Sequence, residues 1–242
     1  MFELTISTSF ADSEYISKFY DKLKDEIKNN SCLIEKLSCF NRTYLTFAIK
    51  EELKDYFIAK ILDEIVFIII DRYKTRFFEE RLVEDKQNVL FQSFLKAISI
   101  FDGDIDRECI VKNIEFSGHI LIDSLYHFKL NELKNRWQKT IDMILLNGIH
   151  KQNSSMIDIM KYLTTMSDNA VQNAEVELVD KNLKIRFFEK IKNYKNDFSG
   201  LSNFLTEMIE LNPARIIIKS SDDSAEEVVS MLCKIFHNKI IF

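Results

Sequence analysis

The chain has 242 residues, 46% of them apolar, and a formal charge of -5. That length and apolar content suffice for a full core, in one large domain or two small ones, and exclude a disordered chain. With only 4 Gly and 1 Pro, a loop-rich all-β fold and a glycine-lined phosphate cradle are disfavoured, and the negative balance gives no chain-wide electrostatic footprint for nucleic acid or an anionic membrane.

In chain order, Phe2, Leu4 and Ile6 alternate with Glu3, Thr5 and Ser7, which predicts a half-buried strand. Ser9, three before Asp12, is a candidate cap for a helix whose apolar face is Ile16, Phe19, Tyr20, Leu23 and Ile27, ending at Asn29-Asn30. Cys32–Phe40 and Tyr44–Ile49 read as two strands joined around Asn41-Arg42, so the start of the chain is a small β-α-β-β layer. Glu51–Glu84 then carries no Gly or Pro, and its stripe Leu53, Phe57, Ile61, Ile65, Ile69, Tyr73 and Phe77 has helical i, i+4 spacing. As one helix it would be roughly 50 Å long. Its centre, Ile65–Ile70, is apolar all round, Phe67 included, on a face otherwise marked by Lys60, Asp63, Asp71 and Lys74; such a centre calls for protein on every side. A membrane span would need about 20 apolar residues, and Asp63, Glu64, Asp71 and Arg72 interrupt before that. The β-branched centre is also compatible with a buried strand.

Val89, Leu90, Phe94, Leu95, Ile98 and Phe101 mark another amphipathic helix, closed by Asp102-Gly103, and a shorter one capped by Asp104 or Asp106 carries Cys109, Ile110 and Ile114. Ile120–Asp123 looks extended. Leu130, Leu133, Trp137, Ile141 and Ile144 define a helix with the only Trp in its core face, and Ser155–Met166 a further one burying Ile159, Met160 and Leu163. Ala174–Val179 and Leu183–Phe188 alternate across Asp180-Lys181 as a hairpin, with Leu178 facing Leu183, Val176 facing Ile185, Glu177 facing Lys184 and Glu175 facing Arg186. A helix over Leu201–Leu211, a buried strand at Ala214–Lys219, a helix Ala225–Phe236 opened by the capping box Ser224 and Glu227, and a last strand Lys239–Phe242 complete a mixed β-β-α-β-α-β sheet. The expected fold is therefore α+β and helix-dominated, with regions 1–50, 51–168 and 169–242.

Chemistry is sparse. Nucleophile-elbow, Walker, zincin and dinucleotide patterns are absent. Asp102, Asp104 and Asp106 begin like a calcium loop, but Arg107 stands at the turn glycine and Asn113 at the bidentate Glu, so helix capping is the expected use. Asp222 and Asp223 disfavour a phosphate at the Ser220–Ser224 turn. Asp123 and His127 offer one carboxylate and imidazole at i, i+4. Cys32, Cys39, Cys109 and Cys233 have no metal or disulfide spacing, and Cys32 and Cys39 should lie on opposite faces of a strand. Neither a metal, a cofactor nor an enzymatic activity is expected. The basic segment 181–195 is the one candidate binding feature: Lys184, Arg186, Lys190, Lys192 and Lys195, with Phe187, Phe188 and Tyr194 interleaved, could hold single-stranded nucleic acid. The cross-strand Glu pairs would neutralise part of it.

Tyr73–Glu80, the run Ile120-x-x-Asp123-Ser124-Leu125-x-x-Phe128-Lys129-Leu130 before a helix, the hairpin, and Pro213-Ala214-Arg215-Ile216-Ile217-Ile218 followed by helix and strand resemble the YtxC-like sporulation family of endospore-forming bacteria over roughly the last two-thirds of the chain. The family's Asp-Gly-Phe-x-x-Phe-Arg reads here as Asp-Ser-Leu-x-x-Phe-Lys over 123–129. The resemblance implies a bacterial cytoplasmic protein linked to sporulation, without an assigned biochemical activity. No signal peptide is expected from the N-terminus. The resulting expectation is a partner-binding protein acting through an unknown protein partner, with nucleic-acid binding through 181–195 as the alternative.

Overall fold

The computed structural model describes residues 1–26, 32–82, 88–116, 118–166, 173–179, 182–187, 190–195, 198–220 and 226–241. The fold is α+β. Its two compact units do not follow chain order: one combines Met1–Arg76 with Gly103–Lys139, the other Phe77–Asp102 with Thr140–Phe242.

In the first unit, strands β1 (Phe2–Ser9), β2 (Cys32–Cys39), β3 (Arg42–Ile49) and β4 (His119–Leu121) form a sheet in the order β2-β3-β1-β4. β3 is antiparallel to both β1 and β2, and β4 is parallel to β1. Strand alternation sends Leu4, Ile6, Leu45, Phe47 and Ile49 to one face, all fully buried. Helix α1 (Ser13–Glu26) supplies Ile16, Phe19 and Leu23 to that core, with the Phe19 and Phe47 ring centroids 6.2 Å apart. Each such side chain contributes about 1.5–3 kcal/mol by leaving water. β2 and β3 meet at Phe40-Asn41, where Phe40 takes a left-handed φ of 53° and projects into solvent. The stretch predicted as extended over Ile120–Asp123 is strand only to Leu121; Ile122–Ser124 is a helical turn, α6. Asn29-Asn30 lies outside the described residues.

The long helix forms as predicted by periodicity but ends at Glu79, short of Glu84, and the strand alternative does not form. A 3-10 turn at Glu51–Leu53 leads into α2 (Lys54–Ile68), a π-helical segment (Ile69–Lys74) and α3 (Thr75–Glu79). Phe57, Ile61, Ile65, Ile69, Tyr73 and Phe77 are all buried. Two expectations need correction. Phe67 is 46% exposed, with the Tyr15 ring centroid 6.2 Å away and the Lys22 ammonium 5.7 Å from its ring centre, so the apolar centre is not enclosed all round. Lys74, assigned to the polar face, is buried, because the π segment advances the buried row by five residues from Ile69 to Lys74 and on to Phe78. The rest of this unit comprises α5 (Gly103–Lys112), a second π-helical segment (Leu125–Lys129) and the start of α7 (Asn131–Leu146). Leu133, Trp137, Ile141 and Ile144 of α7 are buried at the predicted spacing.

In the second unit, α4 (Val89–Phe101) is capped by the Asn88 side chain, which accepts from the Phe91 N–H at 3.1 Å. It packs against α8 (Asn153–Met166) and α9 (Phe198–Leu211). On α8 the buried positions are Met156, Met160 and Thr164, while Ile159 and Leu163 are half-buried, one step off the predicted face. The sheet has five strands, β5 (Asn173–Val179), β6 (Asn182–Phe187), β7 (Lys190–Lys195), β8 (Arg215–Ser220) and β9 (Ile240–Ile241), in the order β7-β6-β5-β8-β9. The sequence pattern missed β7, so the order is β-β-β-α-β-α-β. β5 pairs with β8, and β8 with β9, in parallel, and α10 (Glu226–Ile235) stands between the last two. The Asp180-Lys181 turn, the Ser224 cap and most of the Ser220–Ser224 turn lie outside the described residues. Asn212 ends α9 with φ 39° and accepts from Lys239 Nζ at 2.6 Å; burial holds the Lys239 ammonium below the usual lysine range. Among the described residues no helix is long and apolar enough to cross a membrane.

Ile69 is fully buried at the start of the π segment. Ile69→Ala is expected to destabilise the chain by about 2–5 kcal/mol, read as a lower urea midpoint; an unchanged midpoint would contradict the packing described.

Candidate functional site

One face of the first sheet is filled by its core, and the other is largely open. β2 runs Leu33, Glu35, Leu37 and Cys39 along that open face, in register with Ala48, Thr46, Tyr44 and Arg42 of β3. Leu33 is 64% and Leu37 58% exposed. Past β3 come Thr5 and Ser7 of β1, then His119 and Leu121 of β4. The Thr5 and Thr46 hydroxyls meet at 3.1 Å. Beside β4 lies a cavity of about 240 Å³ flanked by His119, Leu121, Ser124, Leu125, Phe128 and Lys129, with Phe128 77% exposed at its mouth. Lys129 forms an ion pair with Glu115 at 3.0 Å on the same rim. The exposed apolar groups of this face thus stand toward its two edges, Leu33 and Leu37 on β2 and Leu121 and Phe128 by β4, with the polar side chains of Thr46, Thr5 and Ser7 between them.

A polar cluster backs it. Arg42 donates from Nη1 to Asp123 Oδ2 at 3.1 Å and from Nη2 to Oδ1 at 2.5 Å, a two-pronged pair from β3 to α6. Arg42 Nη2 also reaches Ser7 Oγ at 3.4 Å, and Ser7 Oγ lies 3.1 Å from His119 Nε2. That last distance suits a nucleophile and its base. Ser7 is nevertheless fully buried, and the Asp123 carboxylate that could orient an imidazole is held by Arg42, so these groups brace β1, β3 and β4. Strand alternation had placed Ser7 on a solvated face; Arg42 and His119 bond its hydroxyl there. Asp123 does not pair with His127, which stands edge-on to Tyr73 and Tyr126.

Beneath lies a second cluster centred on the two π segments. Lys74 Nζ donates to Asp106 Oδ2 at 2.6 Å, both residues being 1% exposed, and Trp137 Nε1 donates to the same oxygen at 3.2 Å. Asp106 is therefore no helix cap. Tyr73 stacks on Tyr126 at 4.5 Å, and its hydroxyl donates to Asp12 Oδ2 at 3.3 Å. Asp12 also accepts from Ser9 Oγ at 3.0 Å and from Arg72 Nε at 2.6 Å. Burial, reinforced by Asp71, pushes the Tyr15 phenol up, and burial does the same for Tyr73, so both stay protonated donors.

The sequence-derived candidates lie in the second unit and do not form one patch. The hairpin register is the predicted one, Glu175 with Arg186, Val176 with Ile185, Glu177 with Lys184 and Leu178 with Leu183. Lys184 pairs with Glu177 at 3.0 Å and Arg186 with Glu175 at 3.8 Å, and Lys219 reaches Glu175 from β8 at 3.1 Å. Lys192 lies on the opposite face, 2.5 Å from Glu207 of α9, which also accepts from Tyr194 at 2.6 Å. Lys195 is exposed beside Asn182, and Lys190 pairs through its backbone with Phe187. In this unit a groove of about 430 Å³ runs between α8 and α10, with Asp158, Lys161, Cys233 and His237 on its walls. All four cysteines are free, Cys32 buried and Cys39 exposed. Among the described residues no group of three or more His, Cys, Asp or Glu could hold a metal ion.

Replacing one partner of a buried ion pair strands the other charge, so Lys74→Met should destabilise by about 3–5 kcal/mol, and adding Asp106→Leu should restore most of it. Denaturant unfolding of the two variants tests this; equal losses in both would remove the pair from its central place. At the hairpin, Lys184→Glu should weaken the fold, and Glu177→Lys added to it should recover much of the loss at low salt and less at high salt. A double-mutant cycle with no coupling would contradict the paired register.

No protein-family model matches the chain, and neither a curated protein nor a solved structure matches it.

Proposed function

We propose that the chain is a non-enzymatic protein-interaction module whose contact surface is the open face of the first sheet, from Leu33 and Leu37 to Leu121 and Phe128. The observation that carries this is apolar exposure on a braced platform. Leu33 and Leu37 stand in the open on a regular strand, Phe40 projects at its end, and the Arg42–Asp123 pair ties β3 to the chain segment following β4. Large exposed apolar side chains bordered by polar ones are a feature of interaction sites. Ser7 and His119 have a catalytic-looking separation, but with Ser7 sealed from solvent they support bracing rather than turnover. Guided by the resemblance to the YtxC-like sporulation family, the setting we propose for this action is the cytoplasm of sporulating bacterial cells.

The nucleic-acid reading rested on a free basic face. Glu175, Glu177 and Glu207 each engage a cation of that segment, which lowers its net positive field. Affinity capture of the tagged chain from sporulating cells, with and without nuclease, separates the two readings. A nuclease-resistant protein partner lost in Leu33→Asp/Leu37→Asp but kept in Lys184→Glu is the expected result. Recovery of nucleic acid that depends on Lys184 and Arg186 would overturn it.

A further inference from the structure

Sheet edges invite strand pairing, and proteins blunt them with short strands or lysines. Three of the four edges here are blunted in these ways: β4 has 3 residues, β9 has 2, and β7 carries Lys190, Lys192 and Lys195. β2 is different. It is 8 residues long, has neither Pro nor Gly, and among the described residues no strand lies beyond it. Its one lysine, Lys36, turns toward α1, donating to Ser17 Oγ at 3.3 Å and lying 5.4 Å from the Tyr20 ring centre. It does not guard the open face. That face shows Leu33, Glu35 and Leu37 in alternation, and Glu35 has only Thr46 as its ladder neighbour, with no ion pair among the described residues.

We propose that β2 is a strand-addition site that takes an extended segment of a partner protein, in which a Lys or Arg between apolar residues at alternate positions faces Glu35. The inference rests on the reading of this face as an interaction surface and names the chemistry of what binds there. Main-chain hydrogen bonds along β2 supply the general affinity, and alternate side chains supply the choice of sequence. Leu33 and Leu37 accept apolar neighbours, while the exposed Glu35 carboxylate selects a cation between them. A second copy of the chain fits less well: the two-fold antiparallel registers of fullest overlap set Glu35 against Glu35 or Lys36 against Lys36, like charges directly opposed.

Short synthetic peptides alternating Val and Thr, with Lys, Thr or Glu at the centre, test this by fluorescence anisotropy on the whole chain. The Lys peptide should bind about fivefold tighter than the Glu peptide, the order should reverse in Glu35→Lys and flatten in Glu35→Gln, and N-methylation of alternate peptide amides should abolish binding. Circular dichroism of both variants confirms that they fold. Absence of binding, equal binding of the Lys and Glu peptides, or indifference to N-methylation overturns strand addition. Should a partner still be captured through Leu33 and Leu37 in that case, the interaction surface stands and only its strand-pairing mode falls.

Discussion

Lys74 and Asp106 meet at 2.6 Å with almost no exposure, and the arrangement of the first unit depends on their meeting. Burying two charges costs several kcal/mol each unless geometry and further hydrogen bonds compensate, and Trp137 Nε1 supplies one such bond to the shared oxygen. The pair exists because the helix through Ile69–Lys74 widens to a π turn. An unbroken α-helix would carry the buried row from Ile69 to Tyr73 alone; the wider turn brings in Lys74 as well. The same turn leaves Tyr73 stacked on Tyr126, which belongs to the second π segment, and bonded to Asp12 beyond the end of β1. Helix, strand end and aromatic stack are thereby tied into one frame.

On that frame the first sheet has two unlike faces. One is filled by α1 and the buried alternate residues of β1 and β3, and the other is braced at the β1, β3 and β4 side by Arg42, Asp123, Ser7 and His119. Toward β2 the bracing gives way to bare leucines. A rigid polar region next to exposed apolar strand residues suits recognition, since little ordering is needed when a partner arrives. The second sheet treats its charges differently, matching Glu175, Glu177 and Glu207 to lysines and an arginine. Its basic face is thereby partly neutralised.

Local periodicity made much of this legible. The i, i+4 stripe found the long helix, Val89 to Phe101 gave α4 with its ends, and charge alternation gave the hairpin register because Glu175, Glu177, Lys184 and Arg186 can pair in only one good way. What stayed hidden depends on contacts distant in sequence or on a one-residue slip. Lys74 looked solvated because a π turn has no plain sequence signal, although adjacent Phe77 and Phe78 left two phases open for the stripe. Asp106 looked like a cap because its partner is 32 residues away. Ser7, Arg42, His119 and Asp123 come together only when β4 joins β1 in parallel, and three residues of strand are too few to announce it. β7 was read as a basic run because Lys190, Lys192 and Lys195 mask its alternation.

Amide hydrogen exchange of the chain, free and in its captured complex, tests the proposed interaction surface most directly, since partner binding there must slow exchange in the segments it covers. The account predicts new protection over Cys32–Cys39 and His119–Leu121 with little change over Lys184–Lys195. Protection confined to Lys184–Lys195, with β2 exchanging as in the free chain, would contradict it.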